Sequence, residues 1–200
     1  MRLIVARHGE SEYGRRGLAN GDPTTSNPLT PEGIGQARFL GQQIREMEIE
    51  TAVVTEFERT RNTAEIALEG RNVPFKVVAE LNDPPQPGFD GRPLDDYFDW
   101  LNSSEWHETP PGGGESQLQS VARYLRGWRR VVEIATRPTL VVAHAFPISL
   151  ALTIAARERP ALKRNYEHPV DLAQVYPVDL EQLSRGLDAL SAEHSAAVQL

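Results

Sequence analysis

The feature that most restricts the fold is a series of four short, largely apolar runs separated from one another by helical patterns. The runs cover residues 3–6, 51–55, 75–78 and 139–143. They are continuous rather than alternating, which predicts strands that are buried on both faces of a sheet. Strands that alternate with helices along the chain favour parallel pairing within a sheet. We therefore predict an α/β protein, a three-layer sandwich with a mostly parallel central sheet flanked by helices.

Three helices are indicated between these strands. Thr30 followed by Pro31 has the form of an N-cap and a first helical residue. A second helix is predicted over residues 58–68, directly after the second run, and a third over residues 116–136. Each of them lies between two predicted strands, as a layered α/β fold requires.

Residues 84–114 interrupt this alternation of strands and helices, and they contain several prolines and a run of three glycines. An excursion of that length between regular elements is usually a lid or a binding loop, so we predict a lid over about residues 84–114. Residues 172–180 are predicted to add an edge strand, because Pro177 cannot donate a hydrogen bond within a central one. No repeat or linker divides the chain, which predicts one domain over residues 1–200.

Composition excludes several classes of protein. The chain has 200 residues, 21 of them basic and 28 acidic, for a net charge of −7. This balance argues against a broad nucleic-acid surface, which needs excess Lys and Arg. No apolar run approaches the roughly 20 residues that span a bilayer, and the first residues lack the pattern of a signal peptide. There is no cysteine, and the histidines do not recur at zinc-site spacings. We expect a cytoplasmic protein without nucleic-acid or membrane partners, of unspecified oligomeric state.

Polar residues follow three of the predicted strands at the point where each strand ends. Arg7 and His8 come at the end of the first, and His144 comes directly after the fourth. Arg59 follows the second strand, at the start of a helix whose free N–H groups favour an anion. A single histidine at such a position fits a nucleophile, a metal ligand or an ordinary hydrogen-bonded residue. Because ligands bind beyond the carboxyl ends of the strands, the set predicts a shared anion site.

Five motifs resemble those of the histidine phosphatase superfamily, in the phosphoglycerate mutase-like phosphatase branch. They occur in that family's order over residues 2 to about 150, and the last fifty residues resemble it only loosely. The motifs are Arg-His-Gly-Glu at residues 7–10, Pro-Leu-Thr-x-x-Gly-x-x-Gln-Ala at 28–37, Arg-x-x-x-Thr-Ala at 59–64, Gly-Glu-Ser at 114–116 and the histidine after Leu-Val-Val at 144.

The resemblance implies a histidine acid phosphatase-type hydrolase of phosphate monoesters that acts on a small phosphorylated metabolite. His8 attacks phosphorus to give a phosphohistidine, which water then hydrolyses. Arg7, Arg59, His144 and the backbone N–H of Ala145 bind the phosphate. The arginines supply the positive charge that a metal supplies elsewhere, so neither a metal nor a cofactor is expected.

The same resemblance places a carboxylic acid after the third strand, to protonate the leaving oxygen. Family phosphatases have glutamates in a Leu-x-Glu pattern and in an aromatic-Glu-Gly pattern seven residues later. This chain keeps the spacing but has Asp83 and Asp90 instead. Asp83 is therefore the predicted general acid, although a shorter side chain must start closer to the substrate. Glu80 is the alternative.

Other departures from the family concern the substrate. Gly14 stands where an asparagine is common, and Ala145 and Phe146 stand where two glycines are common, so Phe146 is expected to narrow the site. Tyr97, Trp100 and Trp106 fit either a specificity surface or a small core of the lid. The natural substrate is not specified by the sequence.

Two other functions remain open at this stage. One is phosphoglycerate mutase-type phosphoryl transfer, although mutases of this family are usually longer. The other is a non-catalytic phosphate-binding regulatory domain, which a misplaced Asp83 would allow.

Overall fold

The computed structural model describes residues 2–156 and 169–197. Within them, one five-stranded sheet has the order β3-β2-β4-β1-β5. Its strands are β1 Arg2–Arg7, β2 Thr51–Val54, β3 Phe75–Val77, β4 Thr139–Ala143 and β5 Val175–Asp179. The first four run parallel, and β5 runs antiparallel to β1. The α/β fold and the mostly parallel sheet are thus as predicted.

Seven helices accompany the sheet in the same ranges: α1 Glu12–Arg15, α2 Pro31–Gln43, α3 Glu58–Ala67, α4 Leu94–Ser103, α5 Gln117–Ile134, α6 Ala145–Ala155 and α7 Leu180–Ala197, with a short 3-10 helix at Ala79–Leu81. Thr30 caps α2 through a hydrogen bond from the Gly33 N–H, as its sequence predicts. None of these described helices has both the length and the apolarity to cross a bilayer.

Alternation along the strands divides the core into two layers. Val53 of β2 belongs to a buried cluster with Trp128 of α5, on one face of the sheet. The next residue, Val54, belongs to a second cluster with Leu40 of α2. Each central strand therefore buries side chains on both of its faces, which is why its sequence is continuously apolar.

The prediction of burial on both faces is wrong for β3. This strand lies at one edge of the sheet, paired only with β2, and its Lys76 and Val77 are exposed. The edge strand predicted over residues 172–180 is confirmed as β5, where Pro177 lies opposite Ile4. An edge strand tolerates proline because its outer side pairs with no other strand, so no carbonyl there loses a hydrogen-bond donor.

Residues 84–114, here called the lid segment, contain α4 and lie against the loop that follows α1. The Ala19 N–H donates to the Arg92 carbonyl at 2.9 Å, and the Gly91 N–H returns a bond to the Ala19 carbonyl at 2.9 Å. Ala19 also forms a small buried cluster with Phe89 and Tyr97. The lid segment therefore has a small core of its own, separate from the two layers around the sheet.

Candidate active site

The sheet order brings three strand ends to one place. Strand β4 pairs with β1 on one side and β2 on the other, so the residues that follow these strands are neighbours. They surround a cavity of about 460 Å³. The predicted site residues all line it, namely Arg7, His8, Arg59, Asp83, His144 and Ala145.

His8 is buried and its protonation state follows from its two hydrogen bonds. Its Nδ1 lies 2.7 Å from the Gly9 carbonyl oxygen, and its Nε2 accepts from the Arg59 Nε at 3.2 Å. A carbonyl can only accept, so Nδ1 carries the proton and Nε2 carries the lone pair. Burial, reinforced by the charge of Arg59, holds the pKa of His8 well below its usual value. The imidazole is therefore neutral, with a lone pair on Nε2.

The Arg59 guanidinium is fixed by partners on several sides. Its Nη1 donates to the Asn20 Oδ1 at 2.6 Å and its Nη2 to the Asp83 Oδ2 at 2.7 Å. Its central carbon lies 4.0 Å from the centre of the Phe57 ring. Only 3% of the residue is exposed. Burial lowers the pKa of Arg59, but a guanidinium remains charged at any ordinary pH.

His144 and Asp83 form a hydrogen-bonded pair beside this arginine. The His144 Nδ1 lies 3.0 Å from the Asp83 Oδ2, and its Nε2 lies 3.1 Å from the Thr55 Oγ1. Burial lowers the pKa of His144 to about 4, against the opposing pull of Asp83. Burial alone would raise the pKa of Asp83, but its interactions with His144 and Arg59 outweigh this and hold it below the usual range. Asp83 is thus a carboxylate in the structure.

Arg7 and Ala145 add donors to the same cavity. The Arg7 Nη1 donates to the Val170 carbonyl at 3.1 Å, whereas its Nε is buried without a partner among the described residues. Ala145 is the first residue of α6, and His144 is its N-cap. The first N–H groups of a helix have no acceptor within it and favour an anion.

Residues of three of the five motifs hold the loop that follows β1. The Gly9 N–H donates to the Thr63 Oγ1 at 3.0 Å. A side chain on Gly9 would come within 2.6 Å of the Gly33 carbonyl oxygen, so this contact between the first two motifs requires glycine. Glu10 accepts a hydrogen bond from the Thr30 hydroxyl at 2.7 Å. The first three motifs therefore serve to fix the loop that carries His8.

The structure separates the two candidate acids. Asp83 lines the cavity and contacts Arg59 and His144. Glu80 lies outside it, where its carboxylate pairs with Arg130 at 3.2 Å. The geometry thus favours Asp83 over Glu80 for any role in the cavity.

The charge arrangement suits an anion better than a cation. One ring nitrogen or carboxylate oxygen from each of His8, Asp83 and His144 lies within 4.8 Å of the others, which is a spacing that could hold a metal. The Arg59 guanidinium contacts all three, however, at distances of 2.7 to 3.4 Å. A fixed positive charge among the three ligand atoms repels a second cation and attracts phosphate.

Two residues near the cavity were not identified from the sequence. Asn20 accepts from Arg59 and also from the Asn27 Nδ2, at 3.0 Å. Thr55 bonds to His144. Both help to hold cavity side chains in place, and no motif or periodicity marks either of them.

The lining also has a large apolar part, here called the apolar end. Phe146 lines it, as its sequence position predicts, and packs edge-on against Tyr124 with ring centres 5.4 Å apart. Tyr97 contributes both to this wall and to the small core of the lid segment. The apolar lining consists mainly of Leu18, Leu94, Tyr97, Phe98, Leu101 and Phe146.

Comparison with known proteins agrees with this geometry. The chain is 32% identical over 161 residues to an adenosylcobalamin/alpha-ribazole phosphatase of Salmonella typhimurium. The alignment covers 76% of this chain and 78% of that enzyme. It is 31% identical over 136 residues to a 2,3-bisphosphoglycerate-dependent phosphoglycerate mutase of Methylobacterium, covering 62% of this chain and 64% of the mutase.

A solved structure and a family profile extend the match over most of the chain. The crystal structure of a putative alpha-ribazole-5'-P phosphatase from Escherichia coli superposes with a TM-score of 0.76 at 27% identity, covering 88% of this chain and 89% of that one. The profile of the histidine phosphatase superfamily (branch 1) matches residues 3–191. With the fold and the predicted motifs in agreement, the chain belongs to branch 1 of the histidine phosphatase superfamily.

Proposed function

We propose that this protein is a metal-independent phosphomonoesterase that works through a phosphohistidine at His8. The observation that carries the proposal is the hydrogen bond from His8 Nδ1 to the Gly9 carbonyl, because it keeps the proton on Nδ1 and the lone pair on Nε2. That lone pair accepts from the Arg59 Nε in the structure, and a bound phosphate that takes over this donor frees it for attack on phosphorus. The ester bond to the leaving oxygen breaks as the phosphorus–nitrogen bond forms. Water then hydrolyses the phosphohistidine to release phosphate and regenerate His8.

Fixed donors around the phosphate are expected to supply most of the rate enhancement. Phosphoryl transfer spreads negative charge over three equatorial oxygens, so preorganised positive groups stabilise the transition state. Arg7, Arg59, His144 and the Ala145 N–H are the proposed donors. The buried Nε of Arg7 and the hydrogen-bonded position of Arg59 support this assignment.

Asp83 is proposed to protonate the leaving oxygen. In the structure it is ionised, because His144 and Arg59 hold its pKa low. A phosphate dianion bound beside it both repels the carboxylate and competes for Arg59, so substrate binding raises the pKa of Asp83. Asp83 then gives its proton to the leaving alkoxide and recovers one from the attacking water in the second step.

The apolar end of the cavity supports a substrate with an aromatic group. Phe98, Leu101 and Phe146 offer no charge to such a group, and burying it there is favourable. Two of the relatives named above are described as phosphatases of alpha-ribazole compounds, and alpha-ribazole 5'-phosphate is a nucleoside phosphate with an aromatic base. We propose a small phosphate monoester of this kind as the substrate.

Mutase activity on phosphoglycerate is less well supported. A second acidic group on the substrate needs a second cationic site. Among the described residues that line the cavity, the arginines are Arg7 and Arg59, and both lie at the phosphate end.

The proposal can be tested by trapping the intermediate. The protein is mixed with p-nitrophenyl phosphate carrying radiolabelled phosphorus in excess EDTA, quenched in alkali and mapped by peptide. Label on His8 and full turnover in EDTA are expected. Label on His144, or loss of activity that Mg²⁺ restores, would contradict the proposal. Parallel rates with alpha-ribazole 5'-phosphate, glycerol phosphate and 3-phosphoglycerate test the substrate class.

A further inference from the structure

A partly buried ion pair between Glu115 and Arg123 lies beside the segment that carries Asp83. The Arg123 Nε lies 2.8 and 2.9 Å from the two carboxylate oxygens of Glu115, and its Nη2 lies 2.8 Å from one of them. The two side chains are only 13% and 23% exposed. Glu115 belongs to the Gly-Glu-Ser motif, for which the proposed chemistry gives no role.

The remaining edge of the Arg123 guanidinium holds the backbone that leads to Asp83. Its Nη1 donates to the carbonyl oxygens of Glu80 at 2.8 Å and Asn82 at 2.9 Å. Asn82 is the residue immediately before Asp83. On the other side of Asp83, the Glu115 N–H donates to the Pro85 carbonyl at 3.2 Å. Arg123 and Glu115 are therefore hydrogen-bonded to backbone carbonyls both before and after Asp83.

The rest of the motif fits the same contact. Gly114 has a φ of +116°, and a side chain on it would come within 2.1 Å of the Pro85 carbonyl oxygen. Ser116 caps α5 in a capping box with Gln119. Glycine thus allows the end of the lid segment to approach the Asp83 segment, and serine starts the helix that carries Arg123.

We propose that Arg123, held by Glu115, is a positioning residue that sets the place of Asp83 in the cavity. The inference rests on the proposed function of Asp83 as general acid. The Asp83 Oδ2 lies 2.7 Å from Arg59 and 3.0 Å from His144, the groups proposed to bind the phosphate, so the position of its backbone decides how close the acid lies to the leaving oxygen. Arg123 itself does not line the cavity. Only a planar fork can bind a carboxylate along one edge and two carbonyls along another, so lysine is not equivalent.

The test compares two arginines of the same helix. Arg123→Gln should lower kcat for glycerol phosphate by about 100-fold, the cost typical of a small misplacement of a reacting group. Its KM should stay the same, and p-nitrophenyl phosphate, which needs little protonation, should be hydrolysed at nearly the normal rate. Arg130→Gln removes a partner of the Glu80 carboxylate and should change none of these values. Arg123→Lys should recover only part of the loss.

A double variant separates positioning from a general loss of structure. In an Asp83→Asn background, Arg123→Gln should cost nothing further on glycerol phosphate, because the group that it positions is already absent. A full additional loss there, or equal losses with both leaving groups, would overturn the inference. Glu115→Gln serves as a second variant if Arg123→Gln fails to fold, and thermal melting identifies that case.

A readout without turnover distinguishes this inference from the proposed function. In protein labelled with carbon-13 at aspartate carboxyls, the Asp83 resonance is assigned by its loss in Asp83→Asn. Its pKa should rise in Arg123→Gln and stay unchanged in Arg130→Gln. An unchanged pKa in Arg123→Gln would refute the positioning role, whereas a wild-type protein without phosphatase activity would refute the proposed function instead.

Discussion

The two ends of the cavity are built in different ways. The end proposed to bind phosphate, called the cradle here, consists of Arg7, His8, Arg59, His144 and the Ala145 N–H. Its side chains follow directly from central strands or begin helices, and backbone and side-chain hydrogen bonds fix them. The apolar end comes largely from α4 of the lid segment, which has its own small core and joins the loop after α1 through backbone hydrogen bonds. On the proposed function, the cradle binds the phosphate that all such esters share, and the lid segment contacts the part of the substrate in which they differ.

Loss of the nucleophile should have the largest effect, and it should be the same for every substrate. His8→Asn is expected to reduce kcat by roughly 10⁴-fold or more, as removal of a covalent nucleophile does in other enzymes. The labelled phosphoenzyme should disappear as well. His107→Asn, which changes an exposed histidine of the lid segment, is the matched control. A loss confined to one leaving group would contradict the division between cradle and lid segment.

Loss of the acid should depend on the leaving group, because Asp83 lies where the cradle meets the lid segment. Asp83→Asn should slow hydrolysis of glycerol phosphate by about 10²- to 10⁴-fold, the usual range for general acid catalysis. Hydrolysis of p-nitrophenyl phosphate should change little. Wild-type activity on glycerol phosphate should fall as pH rises through the pKa that Asp83 has in the complex, since the protonated form is the one that works.

Glu80→Gln is the control for this comparison and should show neither effect. If the two variants exchange their behaviour, Glu80 is the acid. If neither variant affects glycerol phosphate, the proton comes from another group, and His144 is the next candidate.

A change in the lid segment should alter selectivity and leave the cradle intact. Phe98→Ala removes apolar surface that would cover an aromatic leaving group, at a cost of about 2 kcal/mol. This corresponds to roughly a 30-fold fall in kcat/KM for alpha-ribazole 5'-phosphate. Inhibition by vanadate, which occupies the cradle alone, should not change. Asp99→Ala alters an exposed neighbour on the same helix and should change neither value. Equal losses for glycerol phosphate would show that Phe98 acts on the cradle.

The remaining effect concerns stability and arises because His144 of the cradle is buried and neutral. The pKa of His144 is about 4 in the folded chain, against 6.5 for an unperturbed histidine. Between these values the unfolded chain binds a proton that the folded chain does not, so this contribution is complete above pH 6.5 and is lost as pH falls toward 4. His144→Gln should therefore make the fall in unfolding free energy shallower, by at most about 1.4 kcal/mol per pH unit. Urea titrations at several pH values measure this, and an unchanged slope would contradict it.

The sequence predicts the residues of the cradle better than the residues that hold the cavity side chains in place. His8 and His144 could be located because each directly follows an apolar strand, and the edge where parallel strands end is a property of the fold class. Asn20 could not, because a polar residue in an irregular loop shows its burial, here 8% exposed, only once the loop has packed. Arg123 looks like one of many surface arginines, and its partner Glu115 lies outside the helix, so no helical spacing links the two.

The exposure of β3 was missed for a related reason. Residues 75–78 are apolar except for Lys76, and a charged residue of this kind is typical of an edge strand. The prediction followed the three apolar residues of the run, whereas strand order is decided by how the strands pair in three dimensions.

The position of β4 has a consequence for how the protein acquires its activity. β1 and β2 do not pair with each other in the described structure, since β4 lies between them and pairs with both. The edge of β1 that faces β4 can therefore form its hydrogen bonds only when residues 139–143 are present. Contacts between such distant parts of a chain form slowly, because a long loop must close first. During synthesis the cradle can therefore assemble only after β4 has left the ribosome, so an emerging chain that stops short of β4 lacks the proposed phosphate site.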